Sequence, residues 1–310
     1  MGSGGVGGLY GGRLAGAGCD VTFVARGAHL AAMREHGLLI ENETLGNTHI
    51  KAVKATDDPL STGTPDLVIF AVKLWDTEAI ARQLKPIIGP HTAVLSLQNG
   101  VVKDDILGAI FGAQALMGGV AYVGSHIARP GVINQVGTLQ RLVFGEYSGQ
   151  KSARAEALLA ALLKAGIQAE LSGDIRRTLW EKYTFLVGLS GTTATMRMSI
   201  GPVREHVQTR AFLFDLMKET VAVGRALGVA LPENYAEERL TFADSVPATM
   251  DSSLHHDLKN GNPLEVEWLA GGVVQLGQKA GAPTPCNRAV WDMLALHEQG
   301  TRGKQKQGIL

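Results

Sequence analysis

The hydrophobic rhythm of this chain changes near residue 172. Before that point, short blocks of β-branched and aliphatic residues alternate with stretches of helical period. CDVTFVAR (19–26) has the composition of a strand, while PDLVIFAVK (65–73) and TAVLSLQNG (92–100) are continuous apolar runs, as in strands buried on both faces. Between them, TEAIARQLKPII (77–88) carries the helical period, as does LYGGRLAGAG (9–18) nearer the start. GLLIENE (37–43) and HIKAVKAT (49–56) predict two further short strands. The pattern continues with a helix over 104–110, a strand over 115–123, a hairpin from VINQVG into LVFGEYS, and a helix in SARAEALLAALLKAG (152–166). Strands alternating with helices at this interval predict an α/β domain with a Rossmann-type, doubly wound parallel sheet.

After residue 172 the β-branched clusters thin out. DIRRTLWEKYTFLVGL, REHVQTRAFLFDLMKETVAVGRALG (204–228), ENYAEERLTFADSV and PLEVEWLAGGVVQLGQKAG (263–281) all show the helical period. The expected organisation is a dinucleotide-binding domain over 1–172 and an all-helical substrate domain over 173–310.

The chain opens MGSGGVGG, in which Gly2, Gly4 and Gly7 have the G-x-G-x-x-G spacing, with Gly5 and Val6 between. In a dinucleotide loop the first glycine permits a tight turn, the second lets backbone approach a pyrophosphate, and the third lets the following helix pack on the sheet. A glycine-rich tag has the same spacing, so the motif by itself is ambiguous. Its context favours the loop, because about twenty residues on, where such folds select their ribose, the strand CDVTFVAR ends in Arg26. NAD enzymes place an acid there; a guanidinium suits a 2′-phosphate and so favours NADPH. Lys73, ending the next buried strand, adds a second cation at the same sheet edge. An ordinary surface arginine is the competing reading of Arg26. A loop of this kind normally follows a strand, and none precedes it here. The expectation is therefore a missing first strand, with Met1 an internal methionine at its end.

Composition narrows the partners. With 45% hydrophobic and 19% charged residues, the chain can build a substantial core. Lys and Arg together number 29, as do Asp and Glu, so no basic excess points to nucleic acid. The basic end, TRGKQKQGIL, reads as a frayed tail. No apolar run is long enough for a bilayer span, and no membrane partner is expected. Cys19 and Cys286 are far apart and unmotivated as a pair, which together with the absence of a secretory signal predicts a reducing, cytoplasmic setting. The nine histidines lack ligand spacing, and no metal site is expected.

Five residues are candidates for chemistry. Asn99 ends a buried strand in an Asn-Gly pair, either as a turn residue or as a fixed dipole that orients a ligand oxygen. Lys182 shares a helix face with Ile175, Leu179, Phe185, Leu186 and Leu189. A lysine on an apolar stripe either snorkels to water or, near an apolar wall, gives up its proton more readily, as a general acid to a carbonyl oxygen must. Glu265 fits a capping box as the third residue of a helix begun by Asn262 and Pro263; a carboxylate there also suits a substrate hydroxyl or the orientation of Lys182. Ser252 and Ser253 suit either a helix cap or a donor to a substrate carboxylate.

Taken in order, Gly2-x-Gly4-x-x-Gly7, Arg26, Lys73, Gln98-Asn99-Gly100, Trp180-x-Lys182, Ser252-Ser253 and Glu265-x-Glu267 resemble the ketopantoate reductase (2-dehydropantoate 2-reductase) family over nearly the whole chain, including PGVINQVG and GAPTPCN. The resemblance implies NADPH-dependent reduction of 2-dehydropantoate to pantoate, a step toward pantothenate and coenzyme A. It implies that Gly2, Gly4, Gly5, Val6, Gly7, Arg26, Lys73 and Asn99 bind the cofactor. Lys182 would protonate the ketone oxygen as a catalytic residue with Glu265, and Asn99, Ser253 and Glu265 would hold the substrate. A small 2-oxo acid is the expected partner, and a homodimer is among the expected assemblies. The sequence departs from the family at Leu186 and Ser190, where asparagines are usual. That departure keeps two alternatives in view: a related reductase of another 2-oxo acid or ketone, and a sensor that binds NADP(H) without turnover.

Overall fold

The computed structural model describes residues 1–301; the basic C-terminal stretch lies outside them except for its first residue. By internal packing the chain divides into two compact units, one of residues 1–98 and 103–178, the other of 99–102 and the chain from Leu179 on.

The first unit is an α/β sheet domain. Its strands are β1 (Thr22–Val24), β2 (Leu38–Glu41), β3 (Thr48–Ile50), β4 (Lys54–Thr56), β5 (Leu67–Phe70), β6 (Ala93–Ser96), β7 (Leu116–Arg129), β8 (Val132–Glu146) and β9 (Gln168–Leu171). Helices α1 (Gly5–Gly16), α2 (Gly27–His36), α3 (Thr77–Leu84), α4 (Val102–Phe111) and α5 (Ala153–Lys164) intervene. β5, β6 and β7 run parallel, as the apolar runs predict, and the seven-stranded order is β3-β2-β8-β7-β6-β5 with β9 beside β8. Along β6, Ala93, Leu95 and Leu97 enter a core with Leu14, Met117 and Leu158, whereas Val94 joins Val68, Phe70 and Leu84 in another. This alternation puts apolar cores on both faces of the strand, so both sets of positions must be apolar.

Three details depart from expectation. HIKAVKAT forms two strands: β3 pairs antiparallel with β2, while β4 pairs with β1 in a separate two-stranded sheet. The hairpin is larger than predicted, because VINQVG and LVFGE lie in the single strand β8, whose antiparallel partner is β7. The turn lies at Pro130-Gly131; Gly137, with φ +67°, falls in the register shift that pairs Val123 with Gln140 but Gly124 with Val136. A glycine inside a strand here marks a bulge. In place of one parallel sheet, β1–β4 and the larger sheet are separate, with residues 1–3 between β1 and β5.

The second unit is helical throughout its described residues. Helix α6 (Ile175–Met196) enters it from the first unit, followed by α7 (Ile200–Glu205), α8 (Val207–Ala226), α9 (Tyr235–Ser245), α10 (Ser253–Lys259), α11 (Ala270–Ala280) and α12 (Pro285–Leu294). The stretch 204–228, predicted as one helix, breaks where His206 is extended (φ −89°, ψ 128°). The core gathers Trp180, Tyr183, Val187, Leu213, Met217 and Val273, all buried. No described helix is long and apolar enough to cross a membrane.

Candidate functional site

In the first unit, the glycine loop is made mainly of backbone. Ser3 donates its amide (3.2 Å) and its hydroxyl (3.0 Å) to the Val24 carbonyl, and the Ala71 amide donates to the Met1 carbonyl at 2.9 Å. Residues 1–3 are thus clamped beside the ends of β1 and β5. Gly2 takes φ +83°, and a Cβ there would lie 2.8 Å from the Ala71 carbonyl carbon; one on Gly7 would lie 2.2 Å from the Gly2 oxygen. Both positions exclude a side chain. A Cβ on Gly4, by contrast, would meet nothing within 4 Å. Gly4 is the N-cap of α1, no side chain caps it, and its first turn has no acid. The amides of Gly5, Val6 and Gly7 therefore open a helix N-terminus beside vacant space, the arrangement that receives a phosphate. These observations fit the residues present to a dinucleotide.

Arg26 stands at the N-cap of α2, just past β1, with a guanidinium 73% exposed that reaches Asp76 at 3.2 Å. Lys73 caps the turn after β5 and lies 5.5 Å from the Trp75 ring centroid. The Arg26–Asp76 contact brings the Arg26 loop against the Lys73–Asp76 turn, so the structure gathers the predicted glycines and both segments bearing cations at one end of β1 and β5.

Two residues in this region had no legible role in the sequence. His29 accepts the Gly131 amide on Nδ1 at 3.1 Å, which leaves Nε2 to donate to the Ser3 carbonyl at 2.9 Å. It pins the loop from below as a neutral imidazole, its pKa lowered by burial and only partly restored by the bond to Ser3. Gln98 is buried and donates to the Val72 carbonyl (3.0 Å) and the Thr77 hydroxyl (2.7 Å), tying the Lys73 turn to the end of β6. An amide directly after a buried strand is the one sequence signal that could have flagged it.

The second unit holds the other group. Lys182, half-buried on α6, donates from Nζ to Asn99 Oδ1 at 3.0 Å. One turn of side-chain packing locks this pair in place. Tyr183 is 1% exposed and donates to the Leu269 carbonyl at 2.6 Å, while Gly100 (φ +78°) rests near its ring and the Trp268 carbonyl. Burial raises the Tyr183 pKa, so the phenol stays protonated as a donor. Trp180 meets the Tyr183 ring edge-on with centroids 5.6 Å apart.

Glu265 is buried at 9% exposure, and no helix starts at Asn262, as the expected capping box requires. The helix begins only at Ala270; Leu264 spends its amide on the Glu298 carbonyl (2.8 Å), and Asn262 turns its side chain to Asp257 (3.0 Å). The Glu265 carbonyl instead accepts the amides of Trp268 and Leu269 at 3.1 Å each, closing the turn that Tyr183 grips. Of the serine pair, Ser252 is the N-cap of α10, buried, accepting the His255 amide and 2.7 Å from the Thr193 hydroxyl. Ser253 is exposed at the first helical position. Ser190 is buried and turns its hydroxyl to the Val187 carbonyl of its own helix, and Leu186 packs on the helical core.

An α/β unit with a glycine loop, and a helical unit with a lysine–asparagine pair, define the architecture of a two-unit oxidoreductase. The comparisons make the assignment specific. Models of ketopantoate reductase PanE/ApbA match residues 1–149, and of its C-terminal domain residues 174–298. The chain belongs to this family and is an oxidoreductase of it. It is 33% identical to a 2-dehydropantoate 2-reductase of Mesorhizobium japonicum, over 94% of each chain. It is 30% identical to the uncharacterized oxidoreductase YkpB of Bacillus subtilis, over 96% of this chain and 97% of that one. A crystal structure of a PanE/ApbA family ketopantoate reductase from Ralstonia eutropha superposes with TM-score 0.88 at 33% identity, covering 99% and 98% of the two chains. The fold alone extends to D-mandelate dehydrogenase solved with NADH and anilino(oxo)acetate, with TM-score 0.86 at 20% identity.

Proposed function

We propose that the protein reduces 2-dehydropantoate to pantoate with NADPH, using Lys182 as the general acid. The observation that carries this reading is the 3.0 Å bond by which Lys182 Nζ donates to Asn99 Oδ1, in a chain of this family. The relatives named as 2-dehydropantoate 2-reductases support the substrate.

The amides of Gly5, Val6 and Gly7 and the open face of Gly4 would hold the pyrophosphate, with Arg26 on the 2′-phosphate and Lys73 as a second cation. When bound, the cofactor supplies the hydride. The chain's own work is to hold the 2-oxo acid and move one proton. Lys182 Nζ gives its proton to the substrate's ketone oxygen as that oxygen gains negative charge, and is reprotonated from water. Asn99 keeps its amide donors for cofactor or substrate oxygens, and Glu265 and Ser253 are assigned the substrate's polar ends. One 2-oxo acid, one NADPH and one proton give one 2-hydroxy acid and NADP+. The product would feed pantothenate synthesis in the cytoplasm.

A second reading, a related reductase of another 2-oxo acid, draws support from Leu186 and Ser190: an apolar side chain and a hydroxyl bonded to its own helix stand where the family usually has amides. An initial-rate survey of 2-oxo acids with NADPH and NADH tests both. The proposal expects the highest kcat/KM for 2-dehydropantoate with NADPH; a bulkier 2-oxo acid turned over faster would favour the second reading, and NADPH binding without oxidation on any acid would leave a sensor.

A further inference from the structure

Arg26 and Asp76 meet as an ion pair between two helix N-termini. Arg26 is the N-cap of α2, whose first turn has no acid, and Asp76 is the N-cap of α3. An aspartate at this position ordinarily accepts an amide of its own helix, but Asp76 makes no such bond. Its Oδ2 lies 3.2 Å from Arg26 Nη2 instead. Glu78, in the first turn of α3, is engaged by Arg82 of the same helix at 2.7 Å, so the carboxylate that faces Arg26 is that of Asp76.

The two partners differ in freedom. Asp76 has a short side chain on a turn fixed from beneath. Its amide donates to the Lys73 carbonyl at 3.0 Å, the Thr77 hydroxyl donates to the Leu74 carbonyl at 2.7 Å, and buried Gln98 bonds both Val72 and Thr77. Arg26 has a long side chain that is 73% exposed, against 34% for Asp76. An exposed pair of this kind contributes little to stability. Arg26 can therefore turn to another anion at small cost, while the Asp76 carboxylate stays where its turn puts it.

This asymmetry acts on the two nicotinamide dinucleotides in opposite ways. A 2′-phosphate held by Arg26 brings close to two negative charges beside a fixed carboxylate, and like charges repel. A 2′-hydroxyl in the same place brings no charge, and its O–H can donate to the carboxylate, the part an acid plays at the ribose of NAD-binding folds. We propose that Asp76 sets the cofactor choice of this protein: it opposes NADPH by repulsion and supports NADH as acceptor for the 2′-hydroxyl, so that both are bound within about tenfold of one another in spite of Arg26. The inference rests on the dinucleotide reading of the glycine loop and Arg26, and goes beyond it in giving the pair's acid a role of its own.

The test is a calorimetric titration of the full chain with NADPH and with NADH, in the parent and in Asp76→Asn, which keeps the size of the side chain and removes its charge. NADPH should bind about 3–10-fold tighter to the variant, and NADH about 2–5-fold weaker. Opposite signs are the signature, since a merely structural loss weakens both. The difference between the two chains for NADPH should also shrink at about 1 M salt, where charges are screened within ~3 Å. Weaker NADPH binding in Asp76→Asn would make the carboxylate a support for Arg26 and overturn the proposal, as would an unchanged ratio of the two affinities. A parent chain that binds neither dinucleotide overturns the dinucleotide reading and the proposal together; one that binds them with a ratio indifferent to Asp76 overturns the proposal alone.

Discussion

The glycine loop and the lysine–asparagine pair achieve position by opposite means. The loop is fixed by absences: no side chain at Gly2 or Gly7, where backbone lies within 3 Å of any added carbon, and open space at Gly4. The pair is fixed by presences, with Tyr183 gripping the 265–269 turn and Lys182 reaching Asn99. A site made of backbone tolerates little substitution but has no ionisable groups of its own, whereas one made of side chains is tunable and titratable. Binding of an anion suits the first and proton transfer the second.

The largest effect should come from the titratable side. Lys182→Ala is expected to lower kcat by ~10²–10⁴-fold while leaving NADPH affinity within about twofold in a fluorescence titration. Full turnover in this variant would remove the acid role and make the pair structural. Next, Arg26→Asp should weaken NADPH about 10–100-fold, the worth of a charge-assisted phosphate contact, and NADH far less; equal losses would count against a 2′-phosphate site.

The glycines separate packing from ligand approach. Gly4→Ala should keep the thermal midpoint but weaken NADPH about tenfold, because the new methyl enters open space beside the helix N-terminus. Gly7→Ala should lower both, since its Cβ would lie 2.2 Å from the Gly2 carbonyl oxygen. If the two variants behave alike, the loop is a packing device only. A smaller effect is expected at Tyr183→Phe, about 0.5–1.5 kcal/mol of stability in denaturant unfolding from losing the buried hydrogen bond to the Leu269 carbonyl.

The smallest concerns His29. Its pKa is lowered in the folded state, so the unfolded chain binds more protons as pH falls below the ordinary histidine value near 6.5. Its contribution is fully present above that value and is lost as pH falls through the lower folded pKa. Unfolding midpoints measured from pH 7 to 5 should therefore decline less steeply in His29→Gln than in the parent chain; an identical slope would mean that His29 does not hold Ser3 as a neutral ring.

How much of this was legible follows from the range of the interactions. The buried strands and the glycine spacing are local signals, and both appear where the pattern puts them. Lys182 announced itself by interrupting an apolar stripe. Its partner Asn99, 83 residues away, emerged only as a strand-end amide, because the bond between them is a product of folding. The Asn-Pro-Leu-Glu run has the spacing of a capping box, but the helix begins only at Ala270 and Leu264 pairs with Glu298, a contact no short window contains. The hairpin expected from VINQVG into LVFGEYS lies instead within one strand, where Gly137 falls at a bulge, since glycine serves turns and bulges alike. His29 gave no signal at all, for its role is defined by Ser3 and Gly131, each brought from a distant part of the chain.

The most direct test of the central claim follows the transferred hydrogen. The protein is mixed with 2-dehydropantoate and NADPH deuterated at the reactive C4 position, and the product is examined by mass spectrometry. The account predicts pantoate carrying one deuterium at C2, formed one-for-one with NADP+. Bound NADPH with the 2-oxo acid returned unreduced and unlabelled would contradict it.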